Sequence, residues 1–455
     1  MVAKNKAELD AERAAEFDRA FAWFEGRVDW SEVDRLFPLA RQAVYTTSVV
    51  LWMLIYQRMN PDSSLEAAVK TLTASQPRLL PDNKRVREGT LSANTGGYSR
   101  ARTRLPLEPA QWLCDQISSS LIESTEPSWK GRRVFLIDGT TMTLSPTPSL
   151  RKAFPPASNQ HGSGVWPVAL LVLAHELASG TAVRPAVGAM YGPQAVSETA
   201  LVGTCLTQLP PHSIAMADSG YGIFSVAFAA RQAGHAFLLR MTRQRFAFLR
   251  RQATEVGRGE NWVTYQLVWS PSDKARQTHP DLPGDAALPV WLHEIRIHQD
   301  LTLYLVSDLA DSALEMAGLY QQRNNIEVDI RNFKVVLNAE NIRAKSVEMF
   351  HKELLTSLVA YNLVTQFRRQ AAALIGQPPR RLSFKRNWTT FRIFLLQHMY
   401  TDASQWREKF RIALEIATKD KLPNRPGRSY PREAYPRRPK SSQFQKRKPN
   451  APPDD

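Results

Sequence analysis

Short apolar runs alternate with helical segments between residues 132 and 240, and this alternation limits the possible folds more than any other feature of the sequence. The apolar runs have the length and the residue content of buried strands. They are residues 134–137, 165–174, 213–217 and 236–240, and helices are predicted at 197–209 and 224–233. Strands that alternate with helices predict an α/β fold. The first run ends at Asp138-Gly139, which predicts a turn with residues 140–144 as the hairpin partner.

The rest of the chain divides by its residue pattern. β-Rich segments follow the α/β rhythm, and helical patterns occur before and after it. We predict a helical N-terminal region at 1–125, a first part of the core at 126–243, a β-rich insertion at 244–297, a second part of the core at 298–375, a C-terminal helical region at 376–420 and a tail at 421–455.

The net charge suggests the kind of partner. The sequence has 59 Lys and Arg against 43 Asp and Glu, a formal net charge of +16. This excess favours a polyanion, most simply nucleic acid, although a basic protein without such a partner has the same composition. Residues 421–453 hold ten Lys or Arg and one Glu among many prolines. This tail is predicted to be disordered, and it serves either as a nonspecific DNA-binding arm or as a solubilising tail.

Two further features suggest a cytoplasmic protein. The N-terminal residues are polar and charged, and the apolar runs at 48–56 and 165–174 are too short to span a bilayer. Cys114 and Cys205 lie in apolar segments, as expected for core packing in a reducing compartment. We therefore expect no membrane partner.

A basic, glycine-containing segment at residues 92–105 is a second candidate for contact with DNA. Tyr98, Arg100 and Arg104 recur on it at short spacing, and such side chains bind a phosphate backbone. A solvated basic helix without a ligand has the same pattern. Both interpretations stay open at this point.

Two aspartates occur where catalytic groups of α/β proteins often lie, directly after apolar strands. Asp138 follows the first run and Asp218 follows the run at 213–217. Either one alone is more typical of a turn or cap residue. Together with a third acid they would suit Mg²⁺, which prefers oxygen ligands and binds beside phosphates.

The third acid lies in a segment that predicts a single helix over residues 319–334. At about 100° per residue, Tyr320, Arg323, Glu327 and Lys334 fall within a wedge of roughly 60°. One face therefore carries a hydroxyl, an acid and two bases. The alternative to a functional site is that Glu327 only forms a surface salt bridge with Arg323, four residues before it on the helix. Asp329 is predicted to point to the opposite side of the helix.

These residues resemble a known family. The spacing Tyr, two residues, Arg, three residues, Glu, six residues, Lys is that of bacterial DDE transposases of the insertion-sequence-four family, and Tyr320, Arg323, Glu327 and Lys334 match it at every position. Asp138-Gly139 and Asp218 match the contexts of the two family aspartates. The gap between Asp218 and Glu327 is wide enough for the β-rich insertion of that family. Asn324 departs from the family, which often has an aromatic residue there.

The resemblance implies a fold and an activity. The fold would be an RNase H-like catalytic core interrupted by the β-rich insertion, with a helical N-terminal domain and C-terminal helices. The helical region at 1–125 would bind DNA. Asp138, Asp218 and Glu327 would be catalytic and would hold two Mg²⁺ ions, for which Mn²⁺ can substitute. Tyr320, Arg323 and Lys334 would bind phosphates of the DNA.

The resemblance also implies partners and a setting. The enzyme would cleave the ends of an insertion sequence and join them to target DNA, by a route with or without a DNA hairpin. Its partners would be double-stranded DNA, both element ends and target, and a second copy in a homodimeric synaptic complex. It would act at the bacterial nucleoid. A metal-dependent nuclease without strand transfer and a catalytically silent DNA-binding repressor are the alternatives.

Overall fold

The computed structural model describes residues 29–39, 44–60, 64–75, 80–159, 162–398 and 403–423, together with residue 15. Most of the predicted tail, residues 424–455, therefore lies outside the described residues, as does most of the segment before residue 29. Among the described residues, no helix is both long and apolar enough to cross a membrane.

Eleven strands can be assigned in the described residues. They are β1 (Val134–Thr143), β2 (Ser158–Asn159), β3 (Gly162–Ser163), β4 (Val168–Glu176), β5 (Ala186–Ala189), β6 (Ile214–Ala217), β7 (Ala236–Arg240), β8 (Thr254–Arg258), β9 (Trp262–Trp269), β10 (Leu288–His298) and β11 (Leu301–Ser307). Nine of them form one sheet in the order β5-β4-β1-β6-β7-β11-β10-β9-β8. The prediction of an α/β fold is confirmed, and the structure adds that these nine strands form a single sheet.

Helices precede, cover and follow this sheet. Before β1 they are Trp30–Leu36, Thr47–Met59, Leu65–Ser75, Lys84–Arg87, Gly96–Arg104 and Glu108–Glu123. Between the strands they are Pro148–Ala153, Glu198–Leu206, Phe224–Gln232, Arg243–Arg250 and Asp273–Thr278. After β11 the α-helices are Ala313–Tyr320, Asn325–Arg331, Val347–Ala373, Phe384–His398 and Ala403–Thr418.

The central strands are buried on both faces, and side chains alternate between two apolar clusters. In β1, Val134 and Leu136 pack towards the helix Ala313–Tyr320, whereas Phe135 and Ile137 pack in a cluster with the helix Glu198–Leu206. Because side chains on both faces of these strands are buried, the strand sequences are continuous apolar runs without polar alternation.

Strand β1 is longer than predicted, and this corrects the position of Asp138. The strand continues through Asp138 and Gly139 to Thr143, and it pairs along its length with β4 in antiparallel register. Residues 140–144 are therefore not a hairpin partner. The β-branched threonines that follow Gly139 favour strand over turn, and pairing with β4 overrides the local Asp-Gly signal.

The predicted β-rich insertion belongs to the same sheet as the core. Strand β11 pairs with β7 of the core, β10 pairs with β11, and β9 and β8 complete the edge. The boundary predicted at residue 297 falls inside β10, because β10 and β11 form one hairpin. The insertion therefore extends the sheet and does not fold as a separate unit.

The helical segments before and after the sheet share one core. The long helix Val347–Ala373 packs against the helices Thr47–Met59 and Glu108–Glu123. Phe384–His398 and Ala403–Thr418 join the same apolar cluster. The side chains of Cys114 and Cys205 are buried and unpaired with each other, as expected for packing residues.

A buried ion pair links the segment that carries Glu327 to the C-terminal helices. The Asp329 side chain is fully buried, and its Oδ2 accepts a hydrogen bond from Arg380 Nη2 at 2.6 Å. The guanidinium of Arg368 is also buried nearby, and burial lowers the pKa of Arg368 while Asp329 opposes that shift. Asp329 thus pairs with an arginine outside the group formed by Arg323 and Glu327, as expected from the opposite position that the helical period predicts for it.

Replacing Asp329 by alanine is expected to lower the free energy of unfolding by about 3–5 kcal/mol, because it leaves buried arginines without a counter-charge. Urea denaturation of the variant and the wild-type protein measures the difference. The control is Asp281→Ala, which alters an exposed loop carboxylate and is expected to change stability by no more than about 0.5 kcal/mol. Equal effects of the two substitutions would contradict the role of the buried pair.

Candidate active site

The pairing register of two strands brings the two aspartates together. Strands β1 and β6 are parallel, and the last register partners are Ile137 and Ala217. Asp138 and Asp218 are the next residues on the two strands, so they lie side by side where β6 ends. Side chains alternate along a strand, so Asp138 points to the same face as Leu136, where the helix Ala313–Tyr320 packs.

The segment that carries the third acid is helical throughout but not one regular helix. The α-helix Ala313–Tyr320 passes into a 3₁₀ turn at Gln321–Asn324, an α-helix at Asn325–Arg331 and a π-helical turn at Asn332–Val336. The prediction of a single uniform helix is therefore wrong. The sequence did not indicate these changes, because the segment contains no proline or glycine between residues 321 and 336. Turns of π type recur at functional sites.

Arg323 is the centre of the site. Its Nη2 lies 2.8 Å from Asp138 Oδ2 and 3.7 Å from Asp218 Oδ2, and its Nη1 lies 3.2 Å from Glu327 Oε1. Only 9% of the arginine side chain is exposed. The three acids predicted from the sequence therefore surround one guanidinium, although they come from three separate parts of the chain.

The environment of Asp138 perturbs its ionisation. Burial raises the pKa of Asp138 to about 6, and the nearby carboxylates of Asp218 and Glu198 act in the same direction. The Arg323 guanidinium and a hydrogen bond from the Gly139 N–H oppose this rise. Asp138 thus holds a proton more readily than an ordinary aspartate unless a stronger positive charge is present.

The loop after β6 fixes Asp218. The carboxylate accepts a hydrogen bond from the Gly220 N–H at 2.8 Å, and Arg245 donates to the carbonyl of Ser219 at 2.8 Å. A side chain at Gly222 would come within 2.1 Å of the Arg240 carbonyl oxygen. The close approach of this loop to β7 therefore requires glycine at position 222.

The other two residues of the predicted motif occupy distinct places. Lys334 Nζ donates to Thr140 Oγ1 at 3.1 Å and to the Thr141 carbonyl at 2.8 Å, which ties the π-helical turn to β1. The Tyr320 side chain is mostly buried, and burial raises the pKa of Tyr320 to about 12. Lys334 and Tyr320 thus flank Arg323 on the same face of the sheet.

The donor chemistry of this site fits a hard divalent cation. Three carboxylates supply oxygen ligands, and a positive charge already lies among them. In the part of the chain that the structure describes, no group of three or more His, Cys, Asp and Glu side chains is arranged to hold a metal ion directly. A divalent cation would compete with the Arg323 guanidinium for the carboxylates.

A fourth carboxylate borders the site and was not found from the sequence. Glu198 is the first residue of the helix Glu198–Leu206, and its Oε2 accepts a hydrogen bond from the Tyr221 hydroxyl at 3.1 Å. A lone glutamate in the first turn of a helix is common. Only the three-dimensional packing of the helix on β4 and β5, which brings Glu198 against Gly139, reveals its position.

The basic segment before β1 is partly different from the prediction. Arg100 and Arg104 are exposed on the helix Gly96–Arg104, so both side chains are accessible to a ligand such as DNA. Tyr98 is fully buried, and its hydroxyl donates to Gln57 Oε1 at 2.7 Å. The sequence-based placement of Tyr98 on a DNA-facing surface is therefore corrected: its ring packs in the helical core.

Comparison with known proteins gives a family match and distant structural likenesses. The family described as "Transposase DDE domain" matches residues 129–363. No curated protein matches the sequence. Among solved structures, a piggyBac transposase in a synaptic complex with hairpin DNA is similar with a TM-score of 0.42 and 10% sequence identity, and the alignment covers 91% of this chain and 87% of that chain.

Replacing Arg323 by alanine is expected to destabilise the metal-free protein by on the order of 2 kcal/mol, because three carboxylates lose their shared charged donor. A divalent cation can replace that charge. The melting temperature of Arg323→Ala is therefore expected to rise more on addition of Mg²⁺ or Mn²⁺ than that of the wild type, which thermal unfolding with and without the ion measures.

The matched control is Arg231→Ala, which removes an arginine that pairs with Asp308 at 3.0 Å outside this group. Its response to the ions is expected to equal that of the wild type. If the ions raise the melting temperature equally in the wild type, Arg323→Ala and Arg231→Ala, the Arg323 guanidinium does not compete with a metal ion for the carboxylates.

Proposed function

This chain belongs to the family of transposases with a DDE domain, and we propose that it is a cut-and-paste enzyme that cleaves the ends of an insertion sequence and joins them to target DNA. One observation carries the proposal: carboxylates from β1, from the end of β6 and from the helical segment after β11 contact the same guanidinium. A chain that only binds DNA has no need to bring these acids together.

The three acids would hold the metal ions of the reaction. Asp138, Asp218 and Glu327 would bind two Mg²⁺ or Mn²⁺ ions, which activate the attacking oxygen of a phosphodiester displacement and stabilise the leaving oxygen. The raised pKa of Asp138 means that ion binding displaces a proton from part of the population near pH 6. The rigid frame of paired strands limits how far the two aspartates move apart.

The basic residues of the motif would bind the DNA strand that reacts. Once the carboxylates are neutralised, the planar guanidinium of Arg323 is released to form paired hydrogen bonds with a phosphate. Lys334 and Tyr320 flank it and would contact neighbouring phosphates. Lys334 then exchanges its contacts with β1 for the DNA, a change that needs no rearrangement of the sheet.

The proposed chemistry is a series of displacements of one kind at phosphorus, which cut both strands at each element end and then join the freed end to the target. In cleavage, water attacks the phosphodiester at the element end, the bond between phosphorus and the 3′ oxygen breaks, and a 3′-hydroxyl is released. In joining, that 3′-hydroxyl attacks a phosphodiester of the target and displaces a target 3′-hydroxyl. The same three acids serve both steps, since each step is the same kind of displacement.

The partners follow from this activity. The proposed substrate is double-stranded DNA, and the net charge of +16 favours binding of such a polyanion. The exposed Arg100 and Arg104 would contact its backbone outside the active site. Two element ends must be brought together before joining, so a homodimer in a synaptic complex is proposed as the active form.

Glu327→Ala is expected to abolish Mg²⁺-dependent nicking of DNA that carries the element ends, with a loss of about 10³-fold or more, equivalent to about 4 kcal/mol in the barrier. Binding of the same DNA in Ca²⁺ is expected to change little. The matched control is Glu123→Ala, which alters an exposed glutamate at the end of a helix before β1. Unchanged cleavage by Glu327→Ala would refute the assignment.

A strand-transfer assay with a pre-cleaved end separates the proposed enzyme from a nuclease. Joined product is expected from the wild-type protein and from Glu123→Ala, but not from Glu327→Ala. Cleavage without joining under conditions that support synapsis would show that the chain is a nuclease only.

Deleting residues 424–455 is expected to weaken DNA binding and to flatten its salt dependence. The deletion removes nine Lys or Arg and three acids. It keeps Lys421, whose backbone forms an antiparallel β-bridge with Leu382. The slope of log affinity against log salt is expected to fall by about 0.9 for each phosphate that the shortened protein no longer neutralises. A tail of equal length with neutral residues is the control for charge, and an unaltered slope in both proteins would show that the tail does not bind DNA.

A further inference from the structure

The missing side chain of Gly139 makes room for a carboxylate next to the acids. A Cβ at position 139 would lie 2.1 Å from the Cδ of Glu198 and 2.3 and 2.6 Å from its two carboxylate oxygens. No side chain fits there unless Glu198 moves. Since Gly139 directly follows Asp138 in β1, the Glu198 carboxylate lies against the backbone that carries a proposed metal ligand.

Glu198 approaches from the opposite face of the sheet to Arg323. Asp138 and Thr140 point to the face where Arg323 and Lys334 contact them. Gly139 lies between them and faces the other way, towards the helix Glu198–Leu206. The acids are therefore bordered by cations on one face and by a carboxylate on the other.

The position of Glu198 is fixed by local structure. Ser197 caps the helix by accepting a hydrogen bond from the Ala200 N–H at 3.1 Å, which sets the direction of the first turn. The Tyr221 ring is buried, and its hydroxyl holds one carboxylate oxygen of Glu198. Tyr221 belongs to the loop that also carries Asp218, so the hydrogen bond links the helix to this loop.

We infer that Glu198 is a positioning residue of the reaction site. From the face of the sheet opposite Arg323, Glu198 raises the affinity of Asp138 and Asp218 for a divalent cation. The inference rests on the proposed function. The negative charge of Glu198 offsets the positive charge of the Arg323 guanidinium, which competes with the divalent cation for the carboxylates. Groups that support metal ligands in this way typically contribute about 10–100-fold to metal affinity.

The first test measures Mn²⁺ binding to the full chain without DNA, by electron paramagnetic resonance or calorimetry. Glu198→Gln keeps the size of the side chain and removes its charge, and it is expected to weaken Mn²⁺ binding about 10–100-fold. The same variant is expected to need correspondingly more Mg²⁺ for half-maximal cleavage, while cleavage at saturating Mg²⁺ falls much less. A purely structural role would not shift the metal dependence.

The matched control is Glu108→Gln. Glu108 is the first residue of the helix Glu108–Glu123, as Glu198 is of its own helix, so the substitution removes the same charge from the same helix position. Its Mn²⁺ affinity is expected to equal that of the wild type. Equal Mn²⁺ affinity of Glu198→Gln and the wild type would overturn the inference, and it would leave the outcome for Glu327→Ala untouched.

A second pair of variants tests the steric argument. Gly139→Ala forces the Glu198 carboxylate away and is expected to weaken Mn²⁺ binding to a similar degree. Gly139→Ala combined with Glu198→Ala is expected to bind Mn²⁺ as Glu198→Ala alone does, because the carboxylate that the new methyl group displaces is gone. Additive losses in the double variant would overturn the inference, and thermal unfolding of each protein checks that it is folded.

Discussion

The contact of one buried guanidinium with three carboxylates is the interaction on which the site depends. A buried arginine is costly unless it is paired, and the acids repel one another unless a cation lies among them. Arg323 and the three acids therefore hold each other in place. Because the acids come from two parallel strands and a distant helical segment, this cluster also joins the sheet to the helices that follow it.

The structure arranges charge asymmetrically about the two aspartates. Arg323 and Lys334 approach from one face of the sheet, and Glu198 lies on the other. Under the proposed function, a polyanionic strand and a metal ion would both bind on the first face, to which the Asp138 side chain points. The charge of Glu198 on the other face would favour the metal ion over Arg323 as the partner of the carboxylates.

The sequence predicted the outline of the site better than its details. Asp138, Asp218 and Glu327 could be found because apolar strands and motif spacing are local signals. The sequence misplaced Asp138 at a turn, since pairing of β1 with β4 outweighs the Asp-Gly preference. It did not reveal Glu198, whose position depends on helix packing against Gly139, nor the burial of Tyr98, whose partner Gln57 is distant in the chain.

The continuity of the sheet between core and insertion has a mechanical consequence. Strands β7, β11 and β10 are joined edge to edge by main-chain hydrogen bonds. A force applied to the outer strands of the insertion would therefore pass through the ladder to Arg240 and the neighbouring Asp218 loop. Load on the distal hairpins would thus strain the end of β7 that lies next to this loop.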